Sequence, residues 1–131
     1  MMNGQRLLNT TLRINAAFSL FSGLDFILFD RAIVEIITGE QTQSIVPTGI
    51  MLIGFAVFVF AVSMMKTVNK YLVGLIIAMD ALWVLGSALL VAAGGSDLTG
   101  LGQVLVTGIA LVIAVFAYFQ AKGLRQHLAA A

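Results

Sequence analysis

Cysteine is absent from the 131-residue chain. That excludes disulfides, thiol redox chemistry and thiolate-bound metals. The one histidine, His127, rules out a haem held by two histidines of the same chain and argues against a zinc site. Charge is scarce as well: 10% of residues are charged, against about 25% in an ordinary soluble domain. There is too little polar surface to cover a globule in water. Net charge is +1, so there is no basic footprint for nucleic acid. Catalytic patterns are missing too. There is no Ser/His/Asp set and no His-Glu-x-x-His, and Gly94-Gly95 precedes no Lys-Ser/Thr pair of a phosphate loop. No enzymatic activity, cofactor or metal is expected.

What the chain has in abundance is apolar length. It is 60% hydrophobic, with mean hydropathy +1.06. Four stretches are long enough to cross a bilayer as helices, at about 7–29, 47–65, 71–93 and 101–121. The residues before Leu12 lack a signal-peptide layout, so the first stretch is expected to be retained. Residues 30–38 read as a short amphipathic helix on the membrane surface. Asp30 is its expected N-cap, Gly39 its stop, Arg31 and Glu35 a pair at i,i+4, and Ile33, Ile36 and Ile37 its apolar side. A loop is expected at 41–46 and a turn at 94–100. Pro47, the single proline, suits the first turn of the second span. The predicted fold is a single all-α integral membrane domain: an antiparallel four-transmembrane-helix bundle with a surface helix after the first span.

Asp80 is the one charge inside the third span. Insertion of an Asp near the middle of a membrane helix costs about 2.5–3.5 kcal/mol. A partner, a watery cavity or a proton on Asp80 itself must offset that. The first span supplies polar company. On a helical wheel Thr11, Asn15, Ser19 and Ser22 fall within about 80° of one another, with Asp25 at the edge. Lipid cannot satisfy such a stripe, so it is expected to face inward and meet Asp80. The candidate ligand- or proton-binding set is therefore Asp80, Asp25, Asn15, Ser19, Ser22, Trp83 and Ser87. Two readings of Asp80 stand side by side: a proton or cation carrier, or a structural carboxyl hydrogen-bonded to Ser19, Ser22 or Asn15. Trp83 is either a packing residue or a ligand contact. Ser87, Gln103 and Thr107 read as hydrogen-bonding glue between helices. Arg13 is expected to extend toward the headgroups.

Small residues form a second pattern. Gly74, Ala78, Ala81, Ala88 and Ala92 make one strip on the third span, offset by about 115° from Asp80. Ala110, Ala114, Ala117 and Ala121 make another on the fourth. Such strips let helices approach closely in lipid. Orientation follows from charge. Arg6, Arg13, Lys66, Lys70, Lys122 and Arg125 lie at the N-terminal side, the second loop and the tail, and only Arg31 lies on the other side. The bias places both termini in the cytoplasm.

The runs Ala-Phe-Ser-Leu-Phe-Ser-Gly-Leu (Ala17–Leu24) and Asp-Ala-Leu-Trp-Val-Leu-Gly-Ser (Asp80–Ser87) resemble small bacterial four-span inner-membrane proteins of unassigned function. The resemblance implies a multi-pass inner-membrane protein and carries no activity. The leading expectation is a non-enzymatic protein that binds or transports a small solute, lipid or proton through the cluster around Asp80. The alternative is an accessory subunit packed against a larger membrane complex. The expected partners are the bilayer and either copies of itself or such a complex.

Overall fold

The computed structural model describes residues 3–40, 43–93 and 98–130. The loop expected at 41–46 and the turn expected at 94–100 fall partly outside them. Every regular element among the described residues is helical: α1 (Gly4–Leu28), α2 (Asp30–Thr38), α3 (Val46–Ser63), α4 (Lys70–Ala93) and α5 (Gly100–Ala130). All but α2 are long and apolar enough to cross a membrane.

Local chemistry sets the helix ends. Asn3 caps α1, its side-chain oxygen accepting from the Arg6 N–H at 2.7 Å. Asn69 caps α4 by accepting from the N–H groups of Tyr71 and Leu72. Gly39 ends α2 in the left-handed conformation, φ 78°. Pro47 occupies the first turn of α3, where no N–H is needed.

α1 is the central helix. Its buried stripe, Leu8, Leu12, Asn15, Ser19, Gly23 and Phe26, repeats at three- and four-residue steps. It packs against α3 on one side and α5 on the other, and α5 in turn carries α4. The order across the bundle is α3–α1–α5–α4, with α3 and α4 barely touching. Two glycine crossings set the close approaches. A Cβ on Gly23 would stand 2.7 Å from the Gly49 carbonyl, so α1 meets α3 backbone to backbone. A Cβ on Gly123 would stand 2.9 Å from the Leu8 backbone nitrogen, so α5 meets α1 in the same way.

The largest departure from the sequence reading is in α5. It was expected to end near Ala121 and continues to Ala130. The added turns stay helical because they have something to pack on: Gly123 is buried against the first turns of α1, and Leu124 joins the apolar core there. The surface helix also needs correction. Asp30 is its first residue, and Phe29, with no side-chain hydrogen bond, holds the N-cap position. The Asp30 carboxylate instead fastens the following segment, accepting from the Ile45 N–H at 2.6 Å and the Ser44 hydroxyl at 3.1 Å. Val34 is the buried residue of α2, and Ile36, expected on its apolar side, is exposed. Thr99 ties α2 to α5: its N–H donates to the Ile37 carbonyl at 2.9 Å, its hydroxyl donates to the Ile36 carbonyl, and that hydroxyl accepts from the Gly102 N–H. The helix is thus docked on the start of α5.

Candidate functional site

Three helices bring their polar residues to one height. Asn15, Asp80 and Gln120 each lie ten or eleven residues, about 15 Å, from the end of their helix that carries Gly4, Lys70 or Ala130. The Gly123 crossing sets this register, since it aligns the start of α1 with the end of α5. The three side chains are almost wholly buried: Gln120 0%, Asn15 1% and Asp80 3% exposed.

Their hydrogen bonds form a closed set. The Asn15 side-chain amide donates to Asp80 Oδ2 at 2.9 Å and to Gln120 Oε1 at 2.9 Å. The Gln120 amide donates to the same Asp80 Oδ2 at 2.8 Å. Ser19 donates to Asn15 Oδ1 at 3.3 Å, orienting that amide from one turn away. Two N–H donors on one ionised oxygen contribute roughly 1.5–3 kcal/mol each. Among the described residues Asp80 has no cationic partner, and Oδ1 accepts no hydrogen bond.

The part of Asp80 still accessible faces a crevice of about 300 Å³ between α3 and α4. Met51, Leu52 and Phe55 of α3 form one wall, and Met79, Leu82 and Trp83 of α4 the other. Ser19 and Ile113 also line it. A second crevice of about 200 Å³ shares Trp83 and runs past Ser87 toward α2. α4 is buried only in its first half, at Val73, Ile76 and Asp80, and its main packing partner is α5, which leaves the crevice on the side toward α3.

Of the candidate residues, Asp80, Asn15 and Ser19 share the hydrogen-bonded set, and Trp83 stands beside it in the crevice. Ser22 is half-buried and joins none of these bonds. Asp25 is exposed, about 15 Å along α1 from Asn15, and stands apart from the cluster. Ser87 is half-buried and lines the second crevice. Of the small-residue strips, Ala110 is buried and Ala114 and Ala117 half-buried, while Ala78, Ala81 and Ala88 are exposed and Gly74 has open space beside it. Within the chain, the face of α4 that packs is the carboxylate face. Arg13 lies 3.5 Å from the Ser63 carbonyl and the Met64 sulfur, where a cation suits the C-terminal end of α3.

Gln120 went unnoticed in the sequence because it falls at the very end of the expected fourth span. The stripe Ala110, Ile113, Phe116, Gln120, Gly123 carries the signal: one amide in an otherwise small and apolar buried face. Among the described residues no three His, Cys, Asp or Glu side chains gather as a metal site would need. No family model, curated protein or solved structure matches the chain.

Proposed function

We propose that the chain is a four-span inner-membrane protein, with both termini in the cytoplasm, that binds a small molecule at Asp80 without catalysing a covalent step. Membrane embedding is supported by the four long apolar helices and by large side chains exposed all round them, among them Phe21, Val57, Leu82, Val104 and Leu111. The orientation is supported by the six basic residues from Arg6 to Arg125 that share one side of the chain's topology, against Arg31 on the other. One observation carries the binding reading. A nearly buried carboxyl has one oxygen clamped by two amides and the other left open on the crevice between α3 and α4. An open carboxyl oxygen at that depth is free to accept a donor from a bound molecule. Binding at this site is also the first step of any transport along the bundle.

Native mass spectrometry of protein released from its own membrane tests this. A small-molecule adduct on the wild type that is lost in Asp80→Asn is the expected result; bare protein in both spectra would remove the reading. The same spectra address a second reading, an accessory subunit. That reading is favoured by the uncovered face of α4, where Ala78, Ala81 and Ala88 are exposed. A stoichiometric partner chain in the spectrum supports it, and a lone chain counts against it.

A further inference from the structure

We infer that the crevice takes a lipophilic molecule with a single cationic ammonium head, the head seated on Asp80 Oδ1 and the apolar body against Phe55 and Trp83. This names the ligand class for the site proposed above and rests on that reading. Charge is the first reason. Asp80 is the sole ionisable side chain lining either crevice among the described residues, and no lysine or arginine faces it there. The complement to a lone acid in an apolar wall is a cation that the protein itself does not provide.

Hydrogen-bond capacity is the second reason. Oδ2 already holds the donors of Asn15 and Gln120, and both amides are fixed by bonds to each other and to Ser19. Oδ1 is oriented by that clamp and can still accept. A ligand that only accepts hydrogen bonds finds little to donate to it. The Ser19 hydroxyl already donates to Asn15, which leaves the Trp83 indole N–H as the single side-chain donor open to the first crevice. The walls supply the third reason. Trp83 lies one turn from Asp80 and Phe55 stands across from it, and aromatic faces attract an ammonium that has lost its water. Met51 and Met79 adapt to an apolar body of varied shape. The crevice suits a small amphiphile, at the low end of the size range of ligand pockets. A zwitterionic phospholipid would have to bring its phosphate beside the carboxylate, so the occupant has one head and no anion.

The chain contains a single tryptophan, Trp83, which stands where the two crevices meet, so its fluorescence reports on occupancy beside Asp80. The protein is placed in phosphatidylcholine nanodiscs and titrated with three bromine-bearing dodecyl probes: the amine, the alcohol and the phosphate monoester. The amine should quench Trp83 saturably at a membrane concentration about tenfold below the alcohol, as one charge-assisted hydrogen bond implies. The phosphate should show no saturable quenching. Asp80→Asn should bring the amine down to the level of the alcohol, and Asp80→Glu should keep the amine's advantage. The comparison of probes on the wild type decides the matter even where a variant fails to fold. Equal saturable quenching by amine and alcohol, with both weakened in Asp80→Asn, overturns the cation and leaves the binding site standing. No saturable quenching by any probe overturns the inference. A rightward shift of the amine curve when phosphatidylethanolamine replaces part of the lipid would assign the site to that headgroup, and overturns the single-headed occupant.

Discussion

On the side of the Asp80 cluster toward Gly4, Lys70 and Ala130, all four long helices close on one another. Leu8, Leu12, Val59, Val62, Val73 and Ile76 form a buried core there, and Phe58, Leu72 and Leu124 seal it. On the other side α4 leaves α3, and its residues from Ala81 to Ala93 bury nothing fully. The same helix is thus a core element as far as Asp80 and an exposed one beyond it. Both halves of α4 are apolar, so hydrophobicity does not separate them. The difference lies in where α1 can reach. α1 fills the middle of the closed half and carries the amide that grips Asp80, while no residue of α1 beyond Ser19 lines the first crevice. The polar cluster is the hinge between a packed half and an open one, which is where a binding site can be both held in place and reached.

Five substitutions would break or sharpen this contrast, all measured as thermal unfolding in one mild detergent. The largest effect is expected at Ile76→Ala, where a fully buried side chain leaves a cavity in the closed half; the loss should be about 2–4 kcal/mol. Leu82→Ala, 66% exposed on the open half of the same helix, should change stability by only a few tenths. Equal losses at the two sites would erase the distinction. Gly123→Ala comes next. Its Cβ would meet the Leu8 backbone at 2.9 Å and push α5 off α1, at a cost of about 1–3 kcal/mol.

Gln120→Ala should follow, at about 1 kcal/mol. It removes one of the two donors on Asp80 Oδ2 and the acceptor of an Asn15 N–H. An unchanged melting curve for this variant would mean the amide clamp does not hold the hinge. One effect has the opposite sign. A Cβ on Gly74 meets nothing within 4 Å, so Gly74→Ala should stabilise by about 0.5 kcal/mol through helix propensity. A loss there instead would show that this face of α4 is covered by another copy of the chain.

Much of the fold is legible one residue at a time. The four apolar runs, the breaks at Gly39 and before Pro47, and the inward stripe of Thr11, Asn15 and Ser19 follow from periodicity and punctuation alone. Matching heights along the two helices points to Ser19 and Ser22 as the partners of Asp80, whereas the Asn15 amide makes the bond and Ser19 bonds to Asn15. Gln120 does not, because its height depends on how far α5 slides along α1, and the Gly123 crossing sets that slide. Asp25, at the edge of the polar stripe on the wheel, stands exposed because the buried stripe of α1 continues through Gly23 and Phe26 and leaves it to one side. The outward turn of Ala78, Ala81 and Ala88 was equally unreadable, since a strip of small residues carries no label for whether its partner is in the same chain.

Sequence by itself determined how many long helices there are, where they start, and that one acid would lie deep within the third of the four. Those outcomes depend on interactions within a few residues: turn chemistry, capping and the burial preference of each run. Tertiary structure alone decided that Gln120 completes the clamp, that Asp80 keeps one oxygen open, and that α3 and α4 part to leave a crevice. Each of these depends on how far one helix slides and turns against another, and steric fit at the glycine crossings settles that.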